Sequence, residues 1–447
     1  MTDWDVVVIG GGNAGLVAAI AARHRVPRVL LLERADSAMR GGNTRHTRNA
    51  RCASPAYPAA ELWEDLSGVG PPGPLAQLTV ERSSAVPEWM TAHGVRWQPA
   101  LAGTLHLGRT NRFFLGGGKA LVNTYHRVAA SLGVDVRYEA QVTDLSFDGP
   151  RCIAVVLADG TRVQARAVVC ASGGFEANID WLRKYWGDAA DNFLIRGCPQ
   201  NDGQVLAALF AHGASSAGVE RGFHSVAIDA RAPRFDGGIA TRLDSVPFSI
   251  VVNSSGRRFY DEGEDLWPKR YAIWGRNVAG QPGQIAYSLW DSKVNELFLP
   301  PMFRPVVEAD VRSLAGSLGL DASAVAATVA GYNAAVRPGT FDPSRLDSCS
   351  TEGLEPPKSH WALPLDTPPY FGIALRPGIT FTYLGVRVDE SARVLLGSEP
   401  ASNVFAAGEI MSGNILSSGY LAGFGVTIGH VWGRIAGESA ARAAVAR

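Results

Sequence analysis

Two continuously apolar runs flank a helical pattern at the start of the chain. Asp5–Ile9 and Val29–Glu33 consist of Val, Ile and Leu apart from their polar ends, which is typical of strands buried on both faces of a parallel sheet. Between them, Gly15–Arg23 has the alanine-rich composition of a buried helix. The pattern therefore predicts a strand–helix–strand unit at the N-terminus.

The same pattern of short apolar strands and helices returns later in the chain. Ala167–Gly174 and Val404–Gly408 begin as short apolar strands and end in glycines, and Gly425–Ala444 has a helical pattern. The stretch between them differs, because residues 224–380 hold 15 of the 26 prolines, and proline is disfavoured inside helices and sheets. The sequence predicts an α/β nucleotide-binding domain that is interrupted by an inserted domain and completed by the C-terminus.

Other segments give weaker signals. Residues 41–60 look like an irregular basic loop, and residues 337–370 look like a long loop. Helices are predicted over 116–132 and 321–336, and a strand over Phe248–Asn253.

A glycine motif lies between the first strand and the first helix. Gly10, Gly12 and Gly15 have the GxGxxG spacing, and Glu33 ends the next strand. In this context the first glycine makes a tight turn, the second lets backbone amides approach a pyrophosphate at the helix N-terminus, and the third allows close packing. Glu33 is expected to accept a hydrogen bond from a ribose hydroxyl. The motif predicts a dinucleotide site.

Further glycine-rich returns of the chain favour FAD over a nicotinamide cofactor. Gly41–Thr44 follows the second strand, Ala171–Gly174 ends a later one, and Ala406–Glu409 precedes the final helix. A second GxGxxG motif, as a separate NAD site would need, is not found. The predicted cofactor-binding residues are Gly10, Gly12, Asn13, Ala14, Gly15, Glu33, Arg34, Gly41, Gly42, Asn43, Thr44, Val142, Ala171, Ser172, Gly173, Asp202, Gly408, Glu409, Gly423, Gly425 and Val426.

Composition excludes several classes of function. The 42 basic residues balance the 42 acidic ones, which argues against nucleic-acid binding by overall charge. Five cysteines without a CxxC motif, and nine histidines without HxH or HExxH spacing, indicate neither a disulfide framework nor a metal site. The acidic start of the chain and the absence of a long uncharged run predict a cytoplasmic protein that is not embedded in a membrane.

An ordered set of motifs carries a resemblance to a known superfamily. GGGNAG, LLER, GGNTRHTRNAR, GGGKALVN, ASGGFEAN, RRFYDEG, PGITFTYLG, FAAGE and GYLAGFG resemble the fumarate reductase/succinate dehydrogenase flavoproteins. Within that superfamily the chain is most similar to FAD-dependent tricarballylate dehydrogenases and to the flavoprotein part of the CobZ precorrin enzyme.

The resemblance implies a Rossmann-like FAD-binding domain of residues 1–223 and 381–447, with an inserted α+β capping domain of residues 224–380. It implies a desaturase or reductase that acts at a CH–CH bond beside a carboxylate or carbonyl. Asn43 stands where some relatives attach the flavin through a histidine, so non-covalent FAD is expected. Electrons would pass to a separate electron-transfer protein or a quinone-linked acceptor.

Several positions depart from the fumarate reductase pattern. Phe381 replaces a substrate-binding histidine, and Tyr420 lies near the position of a substrate arginine. The catalytic arginine has no counterpart at Leu266 or Trp267, and the nearest basic residues are Lys269 and Arg270. These departures argue against fumarate or succinate as the substrate.

The predicted catalytic residues could bind an organic anion, polarise a carbonyl or move a proton. They are Tyr420, Tyr383, His224, Arg242, Arg270, Arg45 and Arg48. Each has a structural alternative: a solvated loop for Arg45 and Arg48, an aromatic packed beside the flavin for Tyr420, and a buried structural histidine for His224. An arginine is easier to defend as a positioning group than as a base, because its pKa exceeds about 12.

Three functions remain open from the sequence. The first is a dehydrogenase of a small polycarboxylate such as tricarballylate, with an anionic substrate held by arginines. The second is a ketone-directed desaturase like the 3-ketosteroid dehydrogenases, with Tyr420 on the carbonyl, or a fumarate-type enoate reductase. The third is a flavin electron carrier without a substrate of its own.

Overall fold

The computed structural model describes residues 4–99, 107–238 and 240–446. Its strands are β1 Trp4–Ile9, β2 Val29–Leu32, β3 Asn49–Arg51, β4 Asn111–Phe113, β5 Asp135–Arg137, β6 Val142–Asp148, β7 Arg151–Leu157, β8 Arg162–Cys170, β9 Leu194–Ile195, β10 Ser216–Ala217, β11 Phe223–Asp229, β12 Ile250–Asn253, β13 Ala286–Asp291, β14 Val306–Glu308, β15 Val336–Arg337, β16 Ser350–Thr351, β17 Tyr370–Thr382, β18 Gly385–Val386, β19 Arg393–Leu396 and β20 Glu399–Ala406.

The α-helices are α1 Asn13–Arg23, α2 Ala59–Gly68, α3 Ala76–Ser83, α4 Val86–Ala92, α5 Gly117–Leu132, α6 Ile179–Trp186, α7 Gln204–Ala211, α8 Trp267–Arg270, α9 Trp274–Ala279, α10 Val311–Ser317, α11 Ala322–Ala335 and α12 Phe424–Val445. Short 3₁₀ helices include Gly42–His46 and Gly408–Asn414.

The larger sheet has the strand order β19-β20-β8-β1-β2-β5, and β6 and β7 extend it beside β8. Strand β1 is parallel to both β2 and β8, with Val8 opposite Leu31 and Val169. Because β20 also runs parallel to β8, the carboxyl ends of four central strands meet at one edge, where ligands bind in folds of this kind.

Helices α1 and α12 pack closely against each other through glycines of α12. A Cβ atom on Gly433 would lie 2.6 Å from the carbonyl oxygen of Ala14, and one on Gly437 would collide with the carbonyl of Ala18. The C-terminal helix therefore completes the same layer as the N-terminal motif, as the sequence predicts. The observed mixed α/β architecture with a parallel sheet confirms the predicted fold class.

A second sheet is formed mainly by the middle of the chain. Its order is β11-β17-β13-β12, and β9 and β14 also pair with β17. The 13-residue strand β17 continues to Thr382, where it brings Thr380 and Phe381 to the edge of the larger sheet. The domain limits at 223/224 and 380/381 stay predictions.

Two local predictions are wrong. The strand predicted from Phe248 begins at Ile250, because Pro247 starts a 3₁₀ turn over Val246–Phe248. The predicted loop of residues 41–60 is also more ordered than expected: it contains a 3₁₀ helix, the strand β3 and the first turn of α2. Pairing of β3 with β4 supplies the hydrogen bonds that a short basic segment cannot form alone.

Three further findings concern chemistry that the sequence argues against. All five cysteines are buried and free. Among the described residues, no group of three or more His, Cys, Asp or Glu side chains could hold a metal ion. In the same part of the chain, no helix has both the length and the apolar character that a membrane crossing requires.

Candidate active site

One cavity, with about 230 Å³ accessible to water, begins at the N-terminus of α1 and ends between the two sheets. All but one of the predicted cofactor residues line it: Gly10, Gly12, Asn13, Ala14, Glu33, Arg34, Gly41, Gly42, Asn43, Thr44, Val142, Ala171, Ser172, Gly173, Asp202, Gly408, Glu409, Gly423, Gly425 and Val426. The exception, Gly15, packs against the carbonyl of Gly10, where a Cβ would collide. Its role is therefore close packing beside the cavity.

The first end of the cavity is formed by the turn between β1 and α1. Gly10 has φ +103°, and a Cβ there would collide with the carbonyl of Ala171, so only glycine fits. Helix α1 then begins at Asn13 without a side-chain N-cap, and the Asn13 amide donates to Thr44 Oγ1 at 2.9 Å. The positive end of the helix dipole lies beside the cavity. A helix N-terminus of this kind suits a pyrophosphate.

Glu33 and Arg34 lie on one side of this turn. The Glu33 carboxylate accepts from the amide of Gly11 (2.9 Å) and the amide of Ala35 (2.9 Å). Arg34 pairs with Asp202 at 2.7 Å. The amides hold the Glu33 carboxylate at the cavity wall, where its remaining lone pairs suit a ribose hydroxyl.

Asn43 ties the glycine segment 41–44 to the rest of the site. Its amide donates to Glu176 Oε1 (2.6 Å) and to the carbonyl of Thr380 (2.8 Å), and its Oδ1 accepts from the amide of Cys198 (2.9 Å). The side chain is thus occupied by three structural contacts. It has no nucleophile for a flavin link, in keeping with the prediction of non-covalent FAD.

Glu176 and Glu409 form a buried carboxyl pair near Asn43. Glu176 also accepts from Asn201 at 2.8 Å, and Glu409 accepts from the amide of Thr382 at 2.8 Å. Burial raises the pKa of both carboxyls, and the negative charge of Glu176 raises the pKa of Glu409 further. Two adjacent buried carboxylates repel each other, which favours the retention of a proton by the pair.

The far end of the cavity holds three arginines, Arg48, Arg196 and Arg242. Arg196 donates from Nε to the carbonyl of Gly238 (3.1 Å) and from Nη1 to Thr380 Oγ1 (3.1 Å), and its Nη2 has no hydrogen bond to a described residue. Burial and the neighbouring arginines lower the pKa of Arg196 to about 10.

The other two arginines differ in whether a carboxylate neutralises their positive charge. Arg242 pairs with Asp244 at 2.7 Å, whereas the Arg48 side chain has no hydrogen bond or ion pair within the described residues. Burial and the proximity of Arg242 lower the pKa of Arg48. Only one carboxylate, Asp244, thus forms an ion pair with this cluster in the described part of the chain, which favours an anionic ligand.

His224 and Tyr420 complete this end of the cavity. Their rings are stacked, with centroids 4.0 Å apart and planes 8° from parallel. The Tyr420 hydroxyl accepts from the amide of Gly425 at 2.8 Å, so its own proton is free for a ligand oxygen. Both ring nitrogens of His224 are buried without a partner among the described residues. Burial, followed by Arg196 and Arg242, lowers the pKa of His224, which keeps the imidazole neutral.

Three residues predicted to be catalytic lie outside the described lining. The Arg45 guanidinium donates to the carbonyl of Met39 at 3.0 Å on the protein surface. Tyr383 is fully buried and donates to the carbonyl of Gly419 at 3.0 Å. Arg270 pairs with Glu264 at 3.2 Å. The structure therefore does not place these three side chains among those that line the cavity, and their catalytic roles stay predictions.

Sequence reasoning missed Arg196, Glu176 and Tyr271. Arg196 begins the stretch Arg196-Gly-Cys-Pro-Gln-Asn201, which resembles no general motif, and only the strand pairing of β9 with β17 places it here. Tyr271 packs edge-on against His224, with centroids 5.5 Å apart. The sequence signal that could have found Glu176 is its position directly after the Ala171–Phe175 segment.

A family model described as "FAD binding domain" matches residues 5–426. The chain belongs to this family. Membership confirms the predicted FAD cofactor and the predicted class of protein, an FAD-dependent oxidoreductase. The fit of the cavity agrees, because it combines a helix N-terminus, a carboxylate for a ribose and glycines that a Cβ would disrupt.

Relatives and solved structures of this FAD-binding family place the chain in the predicted superfamily. NADH:fumarate oxidoreductase of Klebsiella pneumoniae is 27% identical, over 99% of this chain and 48% of that protein. The 3-oxosteroid 1-dehydrogenase of Mycobacterium tuberculosis is 23% identical, over 96% of both proteins. The open form of a flavocytochrome c3 fumarate reductase has a TM-score of 0.75 at 22% identity, over 99% of this chain and 79% of that one. The chain thus spans about half the length of the first relative.

Proposed function

We propose that this flavoprotein forms a C–C double bond next to a carboxylate, or reduces one in the reverse direction, in a small substrate with at least two carboxylates. The observation that supports the proposal is the cluster of Arg48, Arg196 and Arg242 at the end of the cavity that the cofactor residues do not occupy. A guanidinium that lines a cavity without a counter-ion is costly, and a dicarboxylate would offset that cost for the half-buried Arg48 and the buried Arg196.

The arginines would also serve the chemistry. Removal of a proton from the carbon next to a carboxylate places negative charge on that carboxylate, and preorganised cations stabilise the charge as it develops. Arginine presents a planar pair of donors that matches a carboxylate. We assign Arg48 and Arg196 to the two carboxylates of the substrate and Arg242, already paired with Asp244, to the positive field around them.

His224 is our candidate for the group that accepts the proton. A neutral imidazole whose nitrogens have no partner among the described residues is an acceptor, but burial, followed by Arg196 and Arg242, lowers its pKa. A bound dianion would offset their charge and raise the pKa of His224 in the complex. In the oxidative direction His224 would take the α-proton. Bound FAD would supply the two-electron acceptor for the hydride of the β-carbon.

An anaerobic titration tests this function. The FAD-loaded protein is mixed with tricarballylate or succinate and, after chemical reduction, with cis-aconitate or fumarate, while the absorbance of oxidised flavin is followed. Bleaching by a saturated polycarboxylate, or return of absorbance with an unsaturated one, is expected. If no di- or tricarboxylate exchanges electrons with the flavin or perturbs its spectrum, the proposal fails.

A second candidate function rests on Tyr420. Its hydroxyl has a free proton and is held by the Gly425 amide, which suits a substrate carbonyl. This would make the protein a ketone-directed desaturase, as the name of the mycobacterial relative describes for that enzyme. Flavin bleaching by a neutral cyclic 3-ketone, with no response to carboxylates, would favour this candidate. The unpaired arginines favour the polycarboxylate.

A further inference from the structure

Two stretches of the chain contain no acidic residue. Residues 37–60 and 89–134 hold nine Lys and Arg residues and no Asp or Glu, although the whole chain has equal numbers of both signs. The 3₁₀ helix 42–46 packs on the N-terminal part of α5, and β3 pairs with β4. The fold therefore gathers the charge of both stretches in one region.

Part of this region reaches the surface, and we call it the basic face. It consists of Met39, Arg96, Leu115 and Lys119, which are exposed, and Arg40 and Arg45, which are half-buried. These residues are contiguous: Arg45 donates to the carbonyl of Met39, Arg40 donates to Asn123 on α5 at 2.8 Å, and the Leu115 amide donates to the Arg96 carbonyl at 2.9 Å.

The four cations of the basic face have no ion pair within the described residues. The nearest acid along the chain, Asp36, uses its Oδ1 for the amides of Ala38 and Met39. Helix α5 starts at Gly117 without an acidic residue in its first turn, so its dipole adds positive potential. Met39 and Leu115 are 36% and 52% exposed. Arginine and methionine beside an apolar residue are typical of protein interfaces.

The basic face lies directly over the cofactor cavity. Within the 3₁₀ helix and its continuation, Thr44, His46 and Arg48 line the cavity, whereas Arg45 between them is held at the surface by Met39. The Gly118 amide donates to the Thr47 carbonyl at 2.7 Å, which fixes this segment on α5. A single layer of backbone thus separates the surface from the site assigned to the flavin.

We propose that the basic face docks an acidic electron-transfer protein that exchanges electrons with the bound flavin. Charge complementarity would steer a negative partner to this surface, and the thin wall beneath it keeps the electron path short. The bound flavin would exchange two electrons with a donor or acceptor in each turnover, and an acidic protein is the kind of partner that this surface would select. The proposal rests on the flavoprotein assignment and not on which substrate is bound.

The electron balance is as follows for reduction of the flavin. Two molecules of a reduced one-electron carrier each lose one electron, and the flavin takes up both electrons together with one proton from water. In the opposite direction two oxidised carriers each gain one electron and the proton returns to water.

Stopped-flow reduction of the FAD-loaded protein tests the proposal, with reduced flavodoxin as a strongly acidic one-electron probe. Three variants are compared: wild type, R45E/R96E/K119E on the basic face, and the control R151E/K184E/R257E, which makes the same charge change at exposed positions elsewhere. At low ionic strength the basic-face variant is expected to react at least about 10-fold more slowly than the control. High salt should erase this difference, because it screens exposed charges.

Reduction by dihydrophenazine, a small uncharged reductant, distinguishes docking from damage to the flavin site. All three proteins are expected to react with it at equal rates. If the basic-face variant is also reduced slowly by dihydrophenazine, the single variant K119E is tested, because the Lys119 side chain lies outside the cavity lining. The proposal then requires that K119E slow flavin reduction by flavodoxin and leave reduction by dihydrophenazine unchanged. Equal flavodoxin rates for the basic-face and control variants would overturn the proposal. If the basic-face variant instead loses binding to phosphatidylserine vesicles while its flavodoxin rate stays equal to that of the control, the basic face binds lipid and the proposal also fails.

Discussion

The imidazole of His224 lies flat on the phenol ring of Tyr420, with 4.0 Å between ring centroids. The first residue comes from β11 of the second sheet, and the second comes from the glycine-rich turn before α12. The stack therefore brings a proton acceptor and a hydroxyl donor together at the junction of the two sheets. Neither group is charged, while the charges around them belong to arginines.

Replacing Tyr420 by Phe keeps the ring stack and removes the hydroxyl. We expect kcat to fall by on the order of 100-fold, as for loss of one preorganised donor to a developing negative charge. The dissociation constant of the substrate should change much less. Single-turnover flavin reduction measures both quantities. Unchanged kcat would show that the hydroxyl serves only the Gly425 amide.

Replacing Arg196 by Lys tests the anion site that sequence reasoning missed. Lysine keeps a positive charge but lacks the guanidinium group that donates to both Gly238 and Thr380 while lining the cavity. We expect the dissociation constant of a dicarboxylate to rise about 10-fold or more, in line with loss of a charged hydrogen bond. Flavin absorbance changes on ligand binding provide the measurement.

Arg376→Lys is a matched control for the Arg196 variant. Arg376 is a residue of β17 and donates to the backbone carbonyl of Gly283 at 3.0 Å, but it does not line the cavity. It should leave ligand binding unchanged. If the Arg196 variant weakens mono- and dicarboxylates equally, the side chain holds the protein structure and does not bind a second carboxylate.

Replacing Glu33 by Gln tests the ribose end of the cavity. The glutamine would turn one N–H group toward the amide of Gly11 or Ala35. It would also lack the negative charge that strengthens a hydrogen bond from a ribose hydroxyl. We expect FAD affinity to fall by at least about 10-fold, measured by flavin fluorescence during titration of the apoprotein. Asp36→Asn, at an exposed turn outside the cavity, should bind FAD like the wild type.

Buried histidines predict how stability depends on pH. Burial lowers the pKa of His430 to about 3, and both of its ring nitrogens lack a partner among the described residues. Below an unfolded pKa of about 6.5 the unfolded chain binds a proton that the folded chain does not, so stability falls as the pH falls. This histidine contributes up to about 1.4 kcal/mol per pH unit in that range.

Replacing His430 by Leu removes this contribution. The free energy of unfolding of the variant minus that of the wild type is expected to be about 2 kcal/mol larger at pH 5 than at pH 7.5. Urea unfolding at the two pH values measures the change. The same difference at both pH values would contradict the assignment of a neutral, buried imidazole. His126, whose burial lowers its pKa to about 4, provides a second position for the same test.

Local patterns were sufficient for the nucleotide end of the site. A strand, a glycine turn and a helix are adjacent in the chain, so Gly10, Gly12 and Glu33 can be placed by sequence spacing alone. The glycines follow from backbone geometry, because a Cβ would collide with a neighbouring carbonyl at Gly10. The buried strands follow from continuous apolar runs, for the physical reason that both faces of the sheet are covered.

The substrate end was decided by tertiary structure. Arg196 reaches the cavity only through pairing of β9 with β17, nearly 200 residues later in the chain, and Arg45 and Arg48 are separated because a 3₁₀ turn directs one outward and the other inward. No periodicity encodes either outcome. The sequence by itself determined the cofactor, the fold class and the charge available. Long-range strand pairing decided which charges remain unpaired in the cavity, and therefore which ligand the site can bind.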